Sequence, residues 1–404
     1  MPMSDEPLSG VKVLDLTTVL AGPFAAYQLG LLGADIIKVE EPGHGDVARE
    51  LGSDAELRDA QMGTSFLAQN AGKRSVTVNL KTKGGREILG RLISAADVLI
   101  ENMRPGVLAR LGFPWPRIHE INSRLVYCAL SGFGQSGPLA GRPAYDQIIQ
   151  GLAGMADVTG YPDGGPVRVG FPICDTLGGM AAALAVCAAL NRRNHDGEGS
   201  FLDVSMLETA MTAMGWVVSD YLIGGRPPGR AGNENVTSAP SGTFRTADGQ
   251  LNIAANTQAQ FEAICRVCDR PDLLADARFR GREDRKQHRD ELRAELEQTL
   301  LARPAAHWEA VFATAGIPAG RVLTVTEALE QEQVRQRDIR HVIGVPGIPP
   351  DRSVEILGSG IHVNERSLAP RSSPPTLGQH TSDVLGELGY TVAEIADFRC
   401  TGAI

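Results

Sequence analysis

The sequence lacks a run that reads as a secretory leader: MPMSDEPLSG at its head has no basic patch followed by an apolar stretch. Nor does any apolar segment reach membrane-spanning length by inspection, so a cytoplasmic protein that needs no membrane is expected. Cysteine is scarce. Six in 404 residues are too scattered for a disulfide framework, and a reducing compartment is the simpler reading. Cys265 and Cys268 do form a CxxC, but a second pair at metal-ligand spacing is missing and the pair lies within the helix-like FEAICRVC, so a packing role is expected. The eight histidines show no ligand spacing either, and no metal is expected. Basic residues are outnumbered, 39 Lys and Arg against 48 Asp and Glu, for a net charge of -9. That argues against a general nucleic-acid binder, whose phosphate affinity comes mainly from cations. A nucleotide-bearing ligand stays open, because beyond roughly 8 Å charges are screened and only local ones matter. Internal repeats and low-complexity tracts are absent too.

What is present fits an α/β protein: 43% hydrophobic residues, 46 glycines and 24 prolines. The length is too great for one ordinary core. VKVLDL (11–16), AGPFAAYQLGLLG (21–33) and ADIIKVE (34–40) read as strand, helix and strand, a βαβ unit that calls for a parallel sheet. The alternation continues through a strand VTVNL (76–80), a helix over 85–94, and strands DVLIE (97–101) and LVYCALS (125–131). A doubly wound sheet is therefore predicted. An Ala- and Gly-rich helix follows from Asp175 to Asn191, then the strand SFLDVS and a helix from Met206 to Ile223. GGRPPGRAGNENVTSAPSG (224–242) is dense in loop-forming residues. Beyond it GTFRTADGQLNIAAN predicts a hairpin turning at Asp248-Gly249, and charged helical segments run to about residue 315. The expected organisation is a large domain over 1–224, a smaller α+β domain over 225–335, and a segment 336–404 that returns to the large one. That last segment carries proline-rich punctuation at 345–351, a strand over 353–356 and an amphipathic helix after Gly378.

A first strand–helix–strand unit ending in Glu40 invites comparison with nicotinamide-binding units, where such an acid bonds the ribose hydroxyls. The fingerprint needs Gly-x-Gly-x-x-Gly at the first turn. TTVLAGPF offers one glycine followed by Pro23, which has no N–H for a phosphate. Dinucleotide use is therefore not favoured.

Eight separated blocks, in order, carry a stronger likeness. They are GVKVLDLTTVLAGPFAAYQLGLLGADIIKVEEPGHGD (10–46), QNAGKRSVTVNLK (69–81), DVLIENMRPGVLARLGF (97–113), SGFGQSGPLAGRPAYDQIIQGLAGM (131–155), PVRVGFPICDTLGGMAAALAV (166–186), TFRTADGQLNIAA, GIPAGRV (316–322) and LGQHTSDVLGELG (377–389). Over nearly its whole length the chain resembles the class III CoA-transferases of the CaiB/BaiF type. The resemblance implies a Rossmann-like large domain built from both chain ends, a small middle domain, and a homodimer whose subunits interlock like links of a chain. It also implies transfer of CoA from an acyl-CoA to a free carboxylic acid, with no tightly bound cofactor.

On residues alone, Asp175 before Thr-Leu-Gly-Gly-Met reads as a helix cap. The family's nucleophilic aspartate falls on it. A helix N-terminus would favour its ionised form, and Gly178 and Gly179 beside it could let backbone amides approach a developing oxyanion. Cys174 reads as a packing residue. By resemblance, CoA contacts fall on Leu20, Ala21, Asn70, Ala71, Gly72, Lys73, Asn102, Met103, Arg104, Arg110, Arg142 and Tyr145. Lys73, Arg104, Arg110 and Arg142 are the candidates for phosphates; Leu20, Met103 and Tyr145 are those for adenine or pantetheine. Glu41 departs from the arginine some members carry there. The glycine-run loop of formyl-CoA transferases is missing, which argues against oxalate or formate. The blocks resemble members acting on dicarboxylic or branched hydroxy acids with succinyl-CoA donors. α-Methylacyl-CoA racemases share the fold, but their histidine falls on Tyr145, and a phenol is a poor base at neutral pH. A third reading, an acyl-CoA-binding subunit without turnover, is opposed by the intact Asp175.

Overall fold

Short aliphatic runs, each followed by a turn and a helix, build a six-stranded parallel sheet in this computed structural model, which describes residues 6–348 and 352–404. The strands are β1 (Lys12–Leu16), β2 (Asp35–Glu40), β3 (Lys73–Thr77), β4 (Val98–Glu101), β5 (Val126–Ser131) and β6 (Ser200–Ser205). Their order is β3-β2-β1-β4-β5-β6, the doubly wound order in which the direction of winding reverses between β1 and β4. The helices that matter below are α1 (Ala21–Leu31), α2 (Lys83–Ala95), α3 (Trp115–Ile121), α4 (Asp146–Leu152), α5 (Ile173–Asp196), α6 (Met206–Ala213) and α7 (Gly215–Gly224).

Successive strand residues point to opposite faces, and both faces are covered. Val13, Val98 and Val126 pack with Ala25 and Leu29 of α1 and with Ala182 and Val186 of α5. Leu14, Leu99 and Tyr127 pack on the other face with Ile88 and Leu92 of α2 and Ile118 of α3. Small residues bring α5 very close to α1. A Cβ at Gly179 would stand 2.5 Å from the Ala21 carbonyl oxygen, and one at Gly178 would stand 3.0 Å from Cγ of Met206.

Several sequence expectations shift. β3 spans Lys73–Thr77 rather than 76–80, because its partner β2 ends at Glu40, opposite Thr77. Asn79 turns away instead and donates its N–H to Ala403 O at 2.8 Å. The helix expected over 206–223 is two helices that part at Met214. The helix expected after Gly378 is also two, Thr381–Glu387 and Val392–Cys400. α5 extends beyond 175–191 at both ends, and at 24 residues it is long and apolar enough to cross a membrane by length and composition. That corrects the expectation that no segment reaches such a length. Here one side of α5 packs against α1 and the sheet.

Two compact units are formed. Among the described residues the first comprises 6–155, 168–226, 335–348 and 352–404, and contains the parallel sheet. Its C-terminal segment lies along β3: Gly378 N donates to Ser75 Oγ (2.9 Å), Ser75 N to His380 Nδ1 (3.2 Å) and Thr77 N to Thr381 Oγ1 (3.0 Å). Within this segment Arg340–Gly344 pairs with Ser353–Leu357. Residues 1–5 at the head of the chain, and 349–351 of the proline-rich punctuation, lie outside the described residues.

The second unit comprises 156–167 and 227–334, so the expected boundary near 224 misses one piece. Residues 156–167 belong with the smaller unit, where Asp157 pairs with Arg230 (3.2 Å) and Gly160 O accepts from Gly232 N (2.9 Å). The hairpin strands Ser241–Arg245 and Gln250–Ala254, joined by Ala319–Arg321, form an antiparallel sheet. Cys265 and Cys268 pack in its core with Phe244, Phe261 and Phe312. Burial pushes their thiols up, to about 11 and about 12.

Candidate active site

At the switch point between β1 and β4, chain segments leave for opposite faces and a crevice opens at the carboxyl ends of the strands. A cavity of about 220 Å³ lies there, walled by Val19 to Ala21, Asn102 to Pro105, Leu130 to Gly132, Arg142 to Tyr145 and Asp175. One wall is the loop after β1, whose Val19 holds φ +71, an uncommon and strained conformation for a β-branched residue. Buried ions keep it there. Asp46 Oδ1 accepts Val19 N at 2.9 Å, and its Oδ2 pairs with Lys38 Nζ at 2.9 Å. Lys38 also donates to Thr17 O at 2.8 Å. Lys73 pairs with Asp15 at 2.9 Å and donates to Pro23 O at 3.0 Å. Behind them Glu40 takes both Arg49 Nε and Nη2 at 2.8 Å and Ser75 Oγ at 2.6 Å. Burial works against each charge, and at four of them the opposite charges outweigh it: Asp15, Glu40 and Asp46 are held below the ordinary carboxylate range and Lys38 above the ordinary lysine value, whereas at Lys73 burial prevails and brings the ammonium down to about 8. Glu40 is therefore saturated, and no longer a candidate for ribose.

The facing wall is the loop after β4. Asn102 clamps it to the β1 loop, accepting Thr18 N at 2.9 Å and donating to Thr18 O at 2.8 Å. Glu101 beneath accepts Met103 N at 2.6 Å and the Tyr127 hydroxyl at 3.0 Å. Burial raises its carboxyl to about 7.

Asp175 stands in the first turn of α5, half-buried, on the cavity. It is not the cap. The residue at the capping position is Pro172, which makes no side-chain cap bond, and Asp146 caps the helix from α4. Its Oδ1 accepts Cys174 N at 2.7 Å and Asp175 N at 3.4 Å. The expectation that the helix N-terminus keeps Asp175 ionised is corrected as well: burial and then the neighbouring Asp146 charge raise its carboxyl to about 7.

A model described as CoA-transferase family III matches residues 8–381. The chain belongs to that family. It is 35% identical over 408 residues to the succinyl-CoA:glutarate CoA-transferase of Mus musculus, covering 100% of this chain and 92% of the relative. It is 41% identical over 347 residues to the acetyl-CoA:oxalate CoA-transferase of Acetobacter aceti, covering 85% and 88%. A crystal structure of a CaiB/BaiF family protein from Brucella suis superposes with a TM-score of 0.83 at 33% identity, over 95% of this chain and 99% of that one. The protein is thus an enzyme, a class III CoA-transferase.

In this CoA-transferase the cavity brings together Leu20, Ala21, Asn102, Met103, Arg104, Arg142, Tyr145 and Asp175. The second expected group lies elsewhere. Lys73 is 1% exposed, so its expected pairing with a CoA phosphate is corrected: the ammonium is engaged by Asp15. Asn70 is buried and donates to Phe66 O, Ala71 is buried, and Gly72 N donates to Ser372 O. Arg110 is exposed, off the cavity wall, with its guanidinium near Gly106. Glu41 pairs with Lys81 at 2.8 Å. Gly178 and Gly179 are buried in the helical ladder, so the oxyanion role expected of them is corrected: they serve the close approach of α5 to its neighbours. Cys174 is fully buried, its thiol raised to about 12 by burial. Asp146, Glu101 and Asn102's clamp were beyond sequence reasoning as contacts. The one signal for Asp146 was its place beside Tyr145 with Gln150 one turn on.

Proposed function

We propose that this transferase carries CoA from a dicarboxylic acyl-CoA to a free dicarboxylic acid through Asp175, on a Rossmann-like CoA-binding unit. The observation that carries the reading is Asp175 on the same cavity as two cations of the wall, Arg104 and Arg142, which suit phosphate or carboxylate groups. Relatives named for succinyl-CoA with glutarate or mesaconate support the acid class, and one named for oxalate keeps that acid in the test panel.

The exchange needs no net proton movement. The Asp175 carboxylate attacks the thioester carbonyl, the C–S bond breaks, and a mixed anhydride and CoA thiolate result. Thiolate attack on the aspartyl carbonyl of that anhydride releases the first acid and leaves an aspartyl-CoA thioester. The incoming carboxylate repeats the steps in reverse order, and Asp175 is freed. Ionised Asp175 is the competent form, so turnover should rise as pH passes through about 7.

Incubation with a panel of acyl-CoAs and free acids, read by mass spectrometry, should yield new thioesters with succinyl-CoA and a dicarboxylic acceptor. Hydroxylamine should convert Asp175 of the loaded enzyme to a hydroxamate, and an untouched Asp175 in an actively turning-over enzyme would remove the covalent route. The working form is proposed to be an interlocked homodimer in a reducing cytoplasm. Supporting this, α7 buries none of its residues, with Trp216 78% and Ile223 88% exposed, and Leu184 of α5 is 72% exposed, an apolar surface of the kind partners cover. Light scattering on the purified protein tests it, and a monomeric mass would end it.

A further inference from the structure

Asp146 is a buried carboxylate, 7% exposed, that makes no ion pair among the described residues. A carboxylate placed this way is expensive to bury, so what its oxygens hold indicates its use. Oδ1 faces the open end of α5 and accepts Cys174 N at 2.7 Å and Asp175 N at 3.4 Å. Oδ2 accepts Gln150 Nε2 at 2.7 Å. Gln150 is fully buried and is itself tied to the strand of chain leading into α5: its Oε1 accepts Val169 N at 2.8 Å, and its Nε2 reaches Phe171 O at 3.4 Å. Thus α4 grips residues 169 to 175 at four points, and supplies the cap that Pro172 cannot.

We infer that Asp146 is a positioning residue for the transfer reaction, which fixes the backbone of Asp175 from outside its helix and so aims the nucleophilic carboxylate into the cavity. The inference rests on Asp175 being the nucleophile. Such fixing matters because small errors in the placement of a reacting group lower the rate steeply. Asp146 has a second consequence. It is the one charged neighbour that pushes Asp175 upward, after burial, while Cys174 beside both is held neutral and Arg104, Arg142 and Tyr145 line the same cavity. Its negative charge therefore keeps Asp175 basic enough to attack a thioester, yet ionised above about 7.

The test is steady-state transfer from succinyl-CoA to glutarate as a function of pH, with Asp146→Asn and Asp146→Ala beside Asp175→Ala. Asp146→Asn retains an oxygen for the two N–H groups but loses the charge and the bond from Gln150 Nε2, so the acid limb of kcat should move down by roughly half a pH unit or more. Asp146→Ala loses the grip as well, and kcat should fall about tenfold or more with KM for the acyl-CoA within about twofold. An unmoved acid limb in Asp146→Asn, or a raised KM at unchanged kcat in Asp146→Ala, overturns the inference. Failure of both variants to fold also counts against it, since the residue would then be a support of the fold. An active Asp175→Ala would instead sink the nucleophile reading; an inactive one beside Asp146 variants that behave as wild type would sink this inference alone.

Discussion

Two groups of buried carboxylates sit along the same edge of the sheet, and they behave in opposite ways. Behind the β1 loop, Asp15, Glu40 and Asp46 each meet a lysine or arginine, and all three are held ionised well below the ordinary range. Across the cavity, half-buried Asp175 and buried Glu101 make no ion pair among the described residues, and both are pushed up to about 7. The chemistry of the side chains is the same. What differs is whether a countercharge comes into place, and that difference sets the brace apart from the proposed nucleophile.

The largest expected effect comes from removing the proposed nucleophile. Asp175→Asn should lower transfer by about a thousandfold or more, because the proposed covalent route has no substitute, while CoA affinity by calorimetry stays within a few-fold. Its fold should be unharmed, and the comparison predicts more. A carboxyl raised on folding contributes stability at pH below its unfolded value that is lost as pH rises through about 7, so Asp175→Asn should gain in Tm over wild type at pH 8 but not at pH 4.

Breaking the brace should do the reverse. Lys38→Met leaves Asp15 and Asp46 buried with less compensation, and a loss of about 3–5 kcal/mol is expected in denaturant titration. Normal stability in that variant would mean the ions are ornamental. pH separates the two groups without mutation. Carboxylates lowered on folding contribute stability above about 4 that is lost as pH falls through their folded values, so the acid limb of activity near 7 should appear while circular dichroism still reports an intact fold. Coincident loss of both would erase the distinction.

Glu101→Gln should have a smaller effect, a gain in Tm relative to wild type above pH 7 and none at pH 4, measured in the same way. Smallest should be Val19→Gly, in which relief of the left-handed backbone and the greater freedom of the unfolded chain nearly cancel, to within about 1 kcal/mol. Its signature should be a few-fold rise in KM for acyl-CoA, as the loop loses its preset shape.

Much of the frame was legible in the residues. β1, β2, β4, β5 and β6 stand where short runs rich in aliphatic residues placed them, since strands of a sheet covered on both faces are mostly apolar. β3 was misplaced by three residues, because KRS in its first half looks like surface until Asp15, Asp35 and Glu40 are seen to receive it. For the same reason Lys73 looked like a phosphate ligand. Its partner is 58 residues away in sequence, and no spacing rule joins them. Gly178 and Gly179 misled in another manner: a glycine permits close approach, but only packing says whether helix or ligand approaches.

The order of motifs along the chain was by itself enough to determine the family and the parallel sheet, because these follow from local pattern and from residue types at set places, and only through the family resemblance did Asp175 become a candidate. The tertiary structure alone decided which charges neutralise one another and which are left uncompensated, and that Asp146 rather than Asp175 caps the helix. Coulomb interaction and desolvation depend on distances across the fold, between residues that the chain itself keeps far apart.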